Sequence, residues 1–227
     1  MSEYKPPSFE KSSFEITDAL STLKKHGINV QLPEHLVKQL DATTLFDGDD
    51  GLFKELIKFA EIYFEYGCGK STEFVYKYSS SFIYAVDTSI DWVRKLQYLE
   101  GNENSDRLNL NWVDVGLVEN WGAPTSFKMR HNFKKYAQLL WLNNKTPDLV
   151  LIDGRFRVSC FLTAVKFGPV GTKILFDDYT DRPFYHVVEE FCQKLDTCGR
   201  QALFEVSEKA KEQISDNVIQ SFQNVIL

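Results

Sequence analysis

Several short segments carry acids and glycines at spacings that could do chemistry. Glu65-Tyr66-Gly67-Cys68-Gly69 places an acid before two glycines, a turn that lets backbone pass close to a ligand. Asp87 follows Gly67 by about 20 residues, the offset at which an acidic side chain after a second strand accepts hydrogen bonds from ribose hydroxyls. Asp114, ending LNWVD, could accept from an exocyclic amine, and a strand-end turn explains it equally well. Asp153 and the pair Asp177-Asp178 could converge as oxygen ligands for a hard divalent cation such as magnesium. A bound cation there would lower the pKa of a coordinated hydroxyl. Arg155 and Arg157 allow a second reading, in which they neutralise those acids, with Asp178 capping the Thr180–Pro183 turn. If instead they face a pocket, their planar donors suit a phosphate or carboxylate on the substrate, with Arg182 and Tyr185 adding to that surface.

Other candidates resolve by spacing. GKST at 69–72 has the tail of a phosphate-binding P-loop, but the glycine required five residues earlier is Phe64. A dinucleotide loop would want glycine where Thr72 stands. DGDDG at 47–51 lacks the carboxylate an EF-hand needs at Lys58, and reads as a turn before a helix. Thr88 with Asp91 forms a T-x-x-D capping box, which leaves Asp87 for a ligand. His186 is the best placed of the histidines for a general base, although the helix carrying it has an apolar face through Val187 and Val188. Trp121, in WGAP, offers an aromatic surface for a base or a sugar. Lys128, Arg130, Lys134 and Lys135 read as a solvated face.

These residues need elements that end together. From Ile62 short apolar runs alternate with amphipathic stretches, the pattern of a parallel sheet covered by helices. The strands expected are 62–66, 82–87, 110–115, 148–153, 172–177, 202–206 and the tail FQNVIL, with helices over 133–142 and 183–195. In the second helix Phe184, Val187, Val188, Phe191 and Leu195 share a face. The fold class expected is α/β, a doubly wound, mostly parallel seven-stranded Rossmann-like sheet over 59–227. It is preceded by a helical extension over 1–58 with helices at 18–25, 33–40 and 52–60. In such sheets ligands sit beyond the carboxyl ends of the strands, where the strand order reverses. Nearly every strand end carries a carboxylate.

Composition narrows the partners. With 26 Lys and Arg against 32 Asp and Glu, the net charge of -6 disfavours nucleic acid as a partner. No apolar run approaches the roughly 18 residues of a membrane span. The polar start MSEYKPPSFEKSSFE and four cysteines (Cys68, Cys160, Cys192, Cys198) without zinc-site spacing suggest a cytoplasmic protein with reduced thiols.

The order YFEYGCGKST, IYAVD, NWVDVG, PDLVLIDGRFR and ILFDDY resembles class I S-adenosylmethionine-dependent methyltransferases over about residues 60 to 195. More narrowly, it is similar to a bacterial methyltransferase-like group with an E-Y-G-x-G-x-S-T loop, a W-G-x-P segment and an I-D-G-R-x-R segment. The resemblance implies S-adenosylmethionine as cofactor, with Glu65, Gly67 and Gly69 around its amino-acid and sulfonium part. Asp87 would take the ribose and Asp114 the adenine. Asp153, Asp177 and Asp178 are similar to the metal set of catechol-type and macrolide-sugar O-methyltransferases, with magnesium as a second cofactor; the arginines after Asp153 depart from that pattern. Methyl transfer to a hydroxyl needs an activated acceptor, assigning Asp153, Asp177 and His186 to catalysis and Arg155, Arg157, Trp121, Arg182 and Tyr185 to the substrate. The implied activity is O-methylation of a small polar acceptor such as a sugar, a phosphorylated sugar or a glycoconjugate precursor. The alternative is an inactive relative that binds a nucleoside or a protein partner. A homodimer built through the extension is compatible with either, and IDGRF in place of N/D-P-P-Y/F disfavours N-methylation of adenine or glutamine.

Overall fold

The computed structural model describes residues 44–101 and 105–226. The helices expected at 18–25 and 33–40 lie outside these residues. Seven strands form one sheet: β1 (Ile62–Tyr66), β2 (Phe82–Asp87), β3 (Leu108–Trp112), β4 (Leu149–Ile152), β5 (Lys173–Phe176), β6 (Lys194–Cys198) and β7 (Gln201–Glu205). Their order is β3-β2-β1-β4-β5-β7-β6, with the first five parallel and β7 antiparallel to both β5 and β6. The order reverses between β1 and β4. The Rossmann-like sheet expected from the sequence is therefore present.

Both faces of the sheet are covered, which explains strands that are apolar almost throughout. Along β1, Phe64 and Tyr66 enter one core with Val150, Ile152, Phe161 and Phe176, and Tyr63 enters the other with Ile83, Leu149 and Leu175. The helices are α1 (Gly51–Ile57), α2 (Lys70–Tyr78), α3 (Ile90–Leu96), α4 (Phe133–Gln138), α5 (Arg157–Phe167), α6 (Glu208–Gln213) and α7 (Asp216–Phe222). Every residue of α5 from Arg157 to Val165 is buried, as befits a crossover helix sandwiched between sheet and outer helices. Leu45, Phe46, Phe53 and Ile57 lie in the same core cluster as Tyr63 and Phe74, so the described part of the N-terminal segment packs into the domain.

Three expectations are corrected. The seventh strand is Lys194–Cys198, an edge strand joined to β7 by Gly199 and Arg200, whereas the tail over 222–226 contains no strand. Residues 183–195 are not one α-helix: a 3-10 helix spans Pro183–Glu190, and its threefold period buries Tyr185 and Val188 while Phe184 and Leu195 face outward. The helix over 133–142 tightens into 3-10 geometry at Leu139–Asn143 and ends at Asn144, in the left-handed region at φ 55°.

Candidate functional site

The loops after β1, β2, β4 and β5 surround a cavity of about 400 Å³ at the carboxyl ends of the strands. Its construction begins where β1 stops. Gly67 has φ 94° and donates its N–H to Val86 O at 2.8 Å, so the β1–β2 ladder continues while the chain turns. A Cβ at Gly67 would lie 2.8 Å from Gly154 Cα, so the glycine loop and the post-β4 loop meet backbone to backbone. A Cβ on Gly69 would meet nothing within 4 Å, which leaves its main chain open to the cavity.

Glu65 works from behind this turn. It is fully buried, accepts hydrogen bonds from the Ser71 hydroxyl and from Thr72 Oγ1 at 2.6 Å, and does not line the cavity. Thr72 Oγ1 in turn accepts Gly69 N–H at 2.9 Å, so Glu65 fixes the loop through the first turn of α2. Burial pushes its carboxyl up to about 7, partly offset by those hydroxyls.

Asp87 does line the cavity. Its Oδ2 accepts Cys68 N–H at 2.9 Å and its Oδ1 accepts Ser89 N–H at 2.6 Å, tying the glycine loop to the start of α3. Burial raises its pKa to about 6 against these amides. The expected Thr88–Asp91 capping box is absent: Ser89 occupies the cap position and Thr88 Oγ1 donates to Gly122 O at 2.7 Å. Asp87 thus serves the local backbone as well as the cavity. A carboxylate has about four lone-pair sites, so two bonds leave room for a ligand. The Thr88–Gly122 bond also holds Trp121, at φ 61° and 72% exposed, stacked on Trp92 at 6.0 Å beside the mouth.

The far wall is acid and arginine in alternation. Asp153, Asp177 and Asp178 each offer an oxygen within 4.8 Å of the others. Arg157, 2% exposed, reaches from the first residue of α5 into this group. It donates to the carbonyls of Gly154, Asp153 and Asp177 at 2.5–3.0 Å, and pairs with Asp153 Oδ1 at 3.0 Å and Asp178 Oδ2 at 3.1 Å. Asp178, at φ 57°, also pairs with Arg182 at 2.9 Å and with Arg200. Gln201 donates to Asp177 Oδ1 at 3.0 Å. Burial raises Asp153 to about 8 against the pull of Arg157, and burial raises Asp177 also. The two acids face each other, so the pair retains a proton near neutrality.

This arrangement does not suit magnesium. Arg157, Arg182 and Arg200 together balance the three aspartates, and Asp178 meets all three guanidiniums. With a proton held between Asp153 and Asp177 the three arginines outweigh the remaining carboxylate charge, and a divalent ion would add further positive charge to the cluster.

Other expected residues lie elsewhere. Asp114 is exposed, accepts Gly116 N–H at 2.9 Å and does not line the cavity. His186 is outside it too, stacked on Tyr179 at 4.8 Å with Nε2 3.1 Å from Tyr179 O, because the 3-10 register turns the ring back toward β5. Tyr185 is buried against Phe176. Arg157 is a buried strut rather than a substrate contact. Conversely, Leu45, Phe46, Asp47, Lys70, Trp92 and Arg200 line the cavity without having been expected there. Arg200 was legible in principle, since Cys198-Gly199-Arg200-Gln201 has the glycine of a tight hairpin.

No family model and no curated protein matches the chain. Among solved structures it is similar to a methyltransferase-like protein from Silicibacter pomeroyi, at 27% identity and a TM-score of 0.65, over 86% of this chain and 97% of that one. It is also similar to an O-methyltransferase from Bacillus cereus in complex with SAH, at 15% identity and a TM-score of 0.46, over 88% of this chain and 100% of the other. A methyltransferase from Geobacter sulfurreducens stands at 11% identity and a TM-score of 0.46, over 89% and 91%. The fold is the Rossmann-like fold of methyltransferases.

Proposed function

We propose that the protein is a class I S-adenosylmethionine-dependent methyltransferase acting on an oxygen of a small polar acceptor, with a sugar or glycoconjugate precursor as the acceptor class. The narrower resemblance to bacterial methyltransferase-like proteins, carried by EYGCGKST and IDGR, belongs to the same reading. The observation that carries it is the pairing of an open Gly69 backbone with the Asp87 carboxylate on one cavity at the reversal of strand order. The 27% identical methyltransferase-like protein, matched over nearly its whole length, supports it.

The residues present fit this cofactor. Asp87 has lone pairs left for ribose hydroxyls, Gly69 offers unshielded main chain, and Trp121 with Trp92 supplies a flat apolar surface at the mouth. When bound, S-adenosylmethionine supplies an electrophilic methyl group on a sulfonium. The chain's own work is then to hold the acceptor in line and to take its proton. Asp153 and Asp177 are the acids for that second task, because their shared proton leaves one carboxylate to accept another from a hydroxyl. Arg157 keeps both acids oriented by gripping the carbonyls around them. Glu65 is a positioning residue for the glycine loop, and Asp114 and His186 have no part in this scheme.

Calorimetric titration with S-adenosylmethionine and its demethylated product tests the reading. Micromolar binding is expected for both, lost in D87A and retained in D153N. Added magnesium or EDTA is expected to leave binding unchanged. Failure of the folded wild-type protein to bind either compound rejects the proposal. Binding without turnover on any hydroxyl acceptor would favour the inactive relative.

A further inference from the structure

Of the four arginines lining the cavity, Arg157, Arg182 and Arg200 are engaged with acids, and only the Arg155 side chain forms no hydrogen bond or ion pair among the described residues. Its Nε is buried without a partner, and its side chain is neither flush with solvent nor neutralised. Burial and the nearby charge of Arg157 disfavour its cationic form, so the folded protein holds this guanidinium at some cost. The two acids coupled to it by charge make no hydrogen bond or ion pair with its side chain. Asp87 accepts from two backbone amides, and Asp153 is gripped by Arg157 and faces Asp177. A half-buried guanidinium with a planar fork of unused donors, opening on a cavity, is the chemistry of a carboxylate or phosphate site.

Its place in the fold indicates which anion. Arg155 follows Gly154, on the β4 side of the contact between Gly67 and Gly154, whereas Asp87 ends β2 on the other side of β1. Arg155 also stands two residues from Asp153, one of the acids assigned to the acceptor hydroxyl. We infer that the cleft selects an anionic methyl acceptor, whose carboxylate or phosphate is held by Arg155 while its hydroxyl reaches Asp153 and Asp177. This rests on the methyltransferase reading above and narrows its acceptor to acidic or phosphorylated compounds. The cofactor's own amino-acid carboxylate is the other source of the same chemistry.

The test uses the full-length protein and inorganic phosphate as the anion probe, titrated with and without saturating S-adenosylhomocysteine. Wild type and the surface control R94Q are expected to bind phosphate alike. R155Q is expected to weaken phosphate at least tenfold, to change S-adenosylhomocysteine affinity less than twofold, and to melt like wild type; R155K should recover part of the loss. Unchanged phosphate affinity in a folded R155Q overturns the inference. So does a tenfold loss of S-adenosylhomocysteine affinity with 5′-methylthioadenosine binding intact, because that assigns Arg155 to the cofactor carboxylate. If wild type binds no S-adenosylhomocysteine, the methyltransferase reading fails on its own, and phosphate titration of the free protein still scores the Arg155 site.

Discussion

Arg155 and Arg157 are two residues apart and have opposite environments, which gives them separable effects. Arg157 donates to three main-chain carbonyls and two carboxylates, and its removal would leave Asp153 and Asp178 buried beside fewer cations. Breaking such a buried network from one side costs about 3–5 kcal/mol. R157Q is therefore expected to lose stability of that order in urea denaturation, and R157K to recover little, because an ammonium cannot span five acceptors on different strand ends. Equal stability of R157Q and wild type would show that the strut is dispensable. The sequence presented the two arginines as equivalents. The difference is set by Phe156, at φ 54°, which reverses the chain between them and sends Arg157 inward at the start of α5.

The β1–α2 connection makes a prediction at the level of the element. Gly67 sits at φ 94° with no room for a Cβ against Gly154, whereas Gly69 is extended and its Cβ would point into open cavity. G67A is expected to lower the melting temperature and cofactor affinity together. G69A is expected to keep the melting temperature and lose S-adenosylhomocysteine affinity, since its methyl enters only the ligand's space. Retained affinity in G69A would place the ligand away from this loop. This connection was readable in the sequence because buried parallel strands are apolar runs and their loops need glycine. The edge strand β6 was not: it exposes Leu195, Asp196 and Thr197, so KLDTC lacks a hydrophobic pattern and merges with the preceding helical segment. His186 was misplaced for a related reason. Helical periodicity presumes 3.6 residues per turn, and the 3-10 winding of Pro183–Glu190 rotates the ring out of the cavity. Arg200 entered the site through the β6–β7 hairpin, and so went unseen along with it.

The whole molecule concentrates buried acids in one place, and this inverts the usual dependence of stability on pH. Glu65 is raised to about 7, Asp87 to about 6 and Asp153 to about 8, each chiefly by burial. A carboxyl with a folded pKa above its unfolded value binds its proton more tightly in the folded state. Its contribution is fully present below the unfolded pKa, near 4, and is lost as pH rises through the folded one. The acids shifted the other way, Asp49, Glu73, Glu189 and Asp216, lie largely toward solvent, where screening reduces their weight. The net charge of -6 at neutrality adds self-repulsion in the same direction. Unfolding free energy in urea is therefore expected to fall between about pH 5 and pH 8, with Glu65 alone contributing up to about 3 kcal/mol of the change. E65Q should flatten the profile between about pH 5 and pH 7, since an amide there has no proton to lose. A ligand that donates hydroxyls to Asp87 favours its ionised form, so S-adenosylhomocysteine should stabilise the protein more at pH 8 than at pH 5. A stability profile that rises steadily from pH 5 to pH 8 would mean that the acid cluster is ionised at little cost, and the proton-sharing assigned to Asp153 and Asp177 would fall with it.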